Sequence, residues 1–109
     1  MPLAELHIIT NNYLNALNTL EGFIEHCDND GDRAIEIYLR GIALKMLDLD
    51  TDSCVQQLDQ ILKKGIETDW NFDLLEYWLK NFKIDAEKKN FVIEKIKQIR
   101  RDIIKPKKS

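Results

Sequence analysis

The densest run of chemistry-bearing residues in this chain is Asp48-Leu49-Asp50-Thr51-Asp52, followed by Asp59. Counted from Asp48, the carboxylates stand at positions 1, 3, 5 and 12, where a calcium loop of the EF-hand type places oxygens around its ion. The sixth position, where such a loop turns on glycine, is Ser53, and the twelfth is aspartate instead of a bidentate glutamate. These acids are therefore read as helix caps. A calcium loop of Asp48, Asp50, Asp52 and Asp59 is the alternative. A second acidic loop, counted from His26, has Asp28, Asp30 and Gly31 at positions 3, 5 and 6 but starts on histidine and ends on Ile37.

Nucleophilic chemistry has little to draw on. His7 and His26 are the only histidines, and Cys27 adjoins one of them. Neighbouring residues on a helix point in different directions, so the pair does not make a thiol and its base. There is no glycine-rich phosphate loop, no Cys-x-x-Cys and no His/Glu pair at metal-ligand spacing. No catalytic residue, enzyme activity or cofactor is implied. The basic end, with Lys97, Arg100 and Arg101 at its centre, could contact phosphates or an acidic partner in a salt-dependent way. Its plainer reading is a solubilising polar face.

Charge is divided along the chain. The 109 residues carry a net charge of −3, yet residues 1–82 hold 15 acids and 6 bases while residues 83–109 hold 4 acids and 10 bases. An acidic body repels a duplex everywhere except at the basic end, which weighs against nucleic acid as a partner. At 44% apolar and 32% charged, the composition is that of a folded domain with one modest core. No apolar run approaches the ~18 residues of a membrane span, and no leading apolar segment marks a signal. A cytoplasmic location with Cys27 and Cys54 reduced is expected.

Five helices must position these residues. The first, over residues 3–27, repeats Leu6, Ile9, Tyr13, Leu17, Leu20 and Ile24 at three- and four-residue steps. Thr10, Asn11 and Asn12 are poor helix-interior residues, so a cap or kink is expected there. Residues 28–32 read as a loop, with Gly31 for a left-handed turn and acids to cap the second helix. Helices over residues 33–47 and 53–64 come next, the latter stopping at Gly65. A fourth spans residues 71–81, and a fifth spans 85–103 with the stripe Val92, Ile96, Ile99 and Ile103. Trp70, Phe72, Tyr77, Trp78 and Phe82 are expected to close the core.

The chain also matches itself. Ala16, Leu17, Leu20, Phe23 and Ile24 fall, after a shift of 38 residues, on Cys54, Val55, Leu58, Ile61 and Leu62, and after a second shift on Val92, Ile93, Ile96, Ile99 and Arg100. One buried stripe repeated at this period describes stacked helix pairs. The stretch Tyr38-Leu39-Arg40-Gly41-Ile42-Ala43-Leu44, then Leu47, Cys54, Leu58 and Ile61, resembles a tetratricopeptide repeat over residues 33–65. In that family a tiny residue in the first helix lets the second approach, and Gly41 and Cys54 would be that structural pair. The family period is shorter, ~34 residues, and no proline closes the second helix here. No strand-like alternation is present, so an all-α domain over residues 1–104 is expected, with a basic flexible tail at 105–109 around Pro106, and the resemblance implies that its roughly five antiparallel helices form a short right-handed solenoid. It also implies a scaffold or adaptor that binds a protein or peptide partner, with Arg40 and Lys45 as the expected contacts.

Overall fold

Thr10, Asn11 and Asn12 end one helix and admit another. In the computed structural model, which describes residues 2–25, 27, 29–68 and 70–102, the chain is all-α. Its helices are α1 (Pro2–Ile9), α2 (Tyr13–Ile24), α3 (Asp30–Met46), α4 (Asp52–Leu62), α5 (Asp73–Asn81) and α6 (Ala86–Asp102). Asn11 takes a left-handed φ of 65°. Its N–H bonds the Ile8 carbonyl at 3.1 Å, and the Asn12 N–H bonds that of His7 at 2.7 Å. These two bonds are the Schellman closure of a helix. The expected first helix is therefore two, making six among the described residues. The break also re-phases the stripe: Ala4, Ile8, Ala16 and Leu20 are buried, whereas Leu6 and Ile24 are exposed.

The second Schellman closure ends α3. Asp48, at φ 60°, donates its N–H to Lys45, and Leu49 donates to Leu44 at 2.9 Å. The start of α3 departs from expectation. Asn29 is its N-cap, accepting the Asp32 N–H at 2.8 Å, so Gly31 lies inside the helix and not in a left-handed turn. Glycine is needed for a different reason: a Cβ there would stand 2.1 Å from the Glu67 carbonyl oxygen. Gly65, at φ 73°, does supply the left-handed turn after α4. Ile103, the 105–109 tail, His26 and Asp28 lie outside the described residues.

Helix α3 is the hub. It packs against α1, α2, α4 and α6, and from Ala34 to Ala43 only Arg40 escapes burial. A helix surrounded in this way is apolar on nearly every side, which explains why Ile35, Ile37, Leu39 and Ile42 all face core. The helices that carry the 38-residue self-match, α2, α4 and α6, are three of the four around it. Ala16, Cys54 and Val92 are all buried, as are Leu20, Leu58 and Ile96. Helix α5 packs on α1, bringing the first and fifth helices together. The Cα radius of gyration of 13.4 Å is about that of a globule of this length.

Candidate functional site

Two buried acids shape the interior, and neither belongs to an apolar stripe. Glu36 is 2% exposed and holds Arg40 through two bonds, 2.8 Å to Nε and 3.2 Å to Nη2. Arg40 also donates to Gln57 at 3.2 Å, and Gln57 donates to Ser53 at 3.0 Å. The expected partner contact Arg40 is thus half-buried and engaged within the chain, tying α3 to α4. Lys45 bonds Glu87 at 3.0 Å and lies 5.6 Å from the centre of the Phe91 ring, so it ties α3 to α6. Where α3 passes α4, a Cβ on Gly41 would meet the Cys54 Cβ at 3.6 Å and Phe91 Cζ at 3.9 Å. Those are ordinary contact distances, and the cavity beside them, about 10 Å³, has room for about one water. Neither Cys27 nor Cys54 is in a disulfide, and burial pushes the Cys54 thiol up.

The acidic run is dispersed among local tasks. Asp48 pairs with Lys88 at 3.2 Å, Asp50 accepts the Asp52 N–H at 2.9 Å, and Asp59 accepts from Gln98. Among the described residues no group of three or more His, Cys, Asp or Glu side chains is arranged to hold a metal ion. At the basic end, Arg100 grips Glu76 of α5 and lies 5.1 Å from the centre of the Phe72 ring. Arg101 lines a surface hollow with Asp59, Leu62, Lys63 and Gln98, and Lys97 is exposed on α6. No helix among the described residues is long and apolar enough to cross a membrane.

The aromatic group expected to close the core splits in two. Trp78 is fully buried and Phe72 nearly so, its ring meeting Tyr38 edge-on at 5.9 Å, but Tyr77 is 60% and Phe82 44% exposed. Tyr77 therefore stands out from α5 with a cleft on each side. Toward α6 lies a groove of about 610 Å³ lined by Asp73, Glu76, Tyr77, Leu79, Lys80, Lys89 and Ile93. Toward α1 lies one of about 360 Å³ lined by Glu5, Asn71, Asp73, Leu74 and Tyr77. The first presents two lysines and two acids and the second acids without a base, with Asp73 and Tyr77 lining both. On α1, Leu3 and Leu6 are also exposed.

Glu5 was invisible to pattern, since a glutamate in an amphipathic stretch is ordinarily on the wet face. It is 6% exposed, and its Oε2 has no hydrogen-bond partner among the described residues. Burial pushes its carboxyl up from 4.5 to about 7, against the opposing pull of the chain's amino-terminal charge. Tyr38, whose hydroxyl is likewise buried and unpartnered, is raised chiefly by its own burial and further by Glu5. The class that these observations define is a small all-α globule built around one central helix. The chain matches no protein-family model, no curated protein and no solved structure.

Proposed function

We propose that this protein is a non-enzymatic adaptor that holds a partner protein or peptide across the Tyr77 face of α5. The observation that carries the proposal is Tyr77 itself, a large aromatic 60% exposed between two clefts on a helix whose neighbouring Trp78 is fully buried. Rigid aromatics that keep one end wet are the residues that anchor interfaces. The helix pairs α3–α4 and α5–α6 are, in this proposal, tetratricopeptide-like hairpins in a short right-handed stack. The meeting of Gly41 with Cys54 supports that view. So does the common burial of the self-matched positions on α2, α4 and α6. A cytoplasmic setting belongs to the same proposal. Arg40 and Lys45 bridge α3 to α4 and to α6, and the partner contact is assigned to Tyr77 instead.

Capture from a lysate of the native host, compared between the wild type and Tyr77→Ala, tests the proposal. A hot-spot tyrosine costs on the order of 2 kcal/mol of binding when truncated, about thirtyfold in affinity, while an exposed side chain changes stability by less than about 0.5 kcal/mol. Partners that bind the wild type and leave the variant, with the melting temperature unchanged, bear the proposal out. Partners retained equally by both would refute it.

A further inference from the structure

We propose that the α1–α5 cleft is a subsite for a lysine side chain of the partner, its ammonium seated between Glu5 and Asp73. This deepens the adaptor proposal and rests on it. The cleft is lined by Glu5, which is more than nine-tenths buried and whose Oε2 has no hydrogen-bond partner among the described residues. Buried acceptors without a donor are rare because their desolvation is uncompensated, and a charged acceptor needs a cation most of all. Asp73 brings a second carboxylate to the exposed rim. Its loop is held in shape by the Asp73 N–H donating to the Asn71 side-chain oxygen at 2.7 Å.

The walls fit the rest of the ligand. Leu74 is half-buried and Tyr77 exposed, giving an aliphatic surface for a four-carbon stem and an aromatic face for the positive head. A compact ammonium with three donors can share two separate carboxylates without the fixed geometry that the planar fork of arginine demands. The residues lining the cleft include Glu5 and Asp73 and no base, so its own lining draws a cation in. Among the described residues, Tyr38 of α3 is coupled to Glu5, and Asp73 of α5 shares its cleft. The amino-terminal charge already favours the ionised carboxyl. An ammonium seated in the cleft would favour it further, so occupancy is written into the proton affinity of Glu5.

The probe is a blocked peptide, acetyl-Ala-Lys-Ala-Lys-Ala-amide, with a counterpart in which both lysines are norleucine. It is titrated into the full chain while the Glu5 carboxyl carbon and the Tyr77 ring are followed by NMR. The lysine peptide should shift Glu5, Asp73 and Tyr77 together, lower the Glu5 titration midpoint by one unit or more, and bind at least tenfold more weakly to Glu5→Gln. Asp73→Asn, a change at an exposed site, should weaken binding without affecting folding and keeps the test decisive if Glu5→Gln perturbs α1. Equal binding of the norleucine peptide overturns the subsite, as does undiminished binding to Asp73→Asn. Shifts confined to the Asp48–Asp52 acids, or none at millimolar peptide, overturn it too. Partner capture that depends on Tyr77 alongside a failed lysine titration refutes the subsite and leaves the adaptor standing. Lysine binding at Glu5 without any Tyr77-dependent partner refutes the adaptor instead.

Discussion

Replacing each helical glycine by alanine should give opposite signs at positions that propensity treats alike. Alanine exceeds glycine by up to ~1 kcal/mol in a helix interior, so propensity alone makes Gly22→Ala, Gly31→Ala and Gly41→Ala all stabilising. Space divides them. A Cβ on Gly22 meets nothing within 4 Å, and one on Gly41 makes contacts at 3.6 and 3.9 Å. On Gly31 it would stand 2.1 Å from the Glu67 carbonyl oxygen and 3.1 Å from its carbon. Carbon and oxygen do not approach much below about 3.3 Å, so one of two backbones has to move by about 1 Å. Overpacking of this kind costs about 1–3 kcal/mol. Backbone against backbone belongs at the upper end, which leaves Gly31→Ala destabilised by about 2 kcal/mol after the propensity gain. At about 4 °C per kcal/mol for a domain of this size, thermal unfolding followed by circular dichroism should show a loss near 8 °C. Gly22→Ala and Gly41→Ala should rise by a few degrees. A Gly31→Ala protein as stable as the wild type would refute the close approach of residues 66–68 to α3.

Glu36→Ala strands Arg40, whose side chain is 25% exposed. Losing one partner of a buried pair costs about 3–5 kcal/mol, and water reaching Arg40 reduces this to about 2 kcal/mol. Urea unfolding should show a lower midpoint, most of it recovered by adding Arg40→Met. Glu5 makes stability depend on pH with an unusual sign. The folded carboxyl keeps its proton up to about 7 whereas the unfolded one gives it up near 4.5, so the native state binds more protons in between. Stability should then fall as pH rises from 4.5 to about 7 and level off above, by about 3 kcal/mol. Glu5→Gln should flatten that slope in denaturation curves taken at pH 5 and pH 7.5. Asn29→Ala removes the cap bond to Asp32, 2.8 Å long, and should cost ~1 kcal/mol by chemical denaturation. No loss would show that water caps α3 equally well.

Periodicity exposed what a helix buries along one face. Val92, Ile96 and Ile99 are core as their spacing required, and the match of Ala16 with Cys54 and Val92 foretold three equivalent burials. Helix breaks were legible too, because Thr10, Asn11 and Asn12 compete for backbone bonds and Gly65 accepts a positive φ. Partners across the fold were not. That α3 has neighbours on nearly every side depends on which helices meet it, and residues such as Glu36 and Tyr38 carry no mark of that in their own spacing. Gly31 looks like a turn residue beside acids, yet its reason lies 36 positions away at Glu67. Tyr77 and Trp78 are adjacent aromatics with opposite fates because successive helical residues face about 100° apart. Of the residues now in the candidate site, the aromatic ones drew attention as core, and Glu5 drew none.

The meeting of α1 with α5 sets a limit on how this architecture could ever have grown. A linear array lengthens by duplication, since each new unit finds the same neighbours as the old. Here a further helix pair inserted between α4 and α5 would have to leave the contact of α5 with α1 in place. The helices of the 38-residue match, α2, α4 and α6, all pack on the one helix α3, so a further copy would have to find room on that same helix.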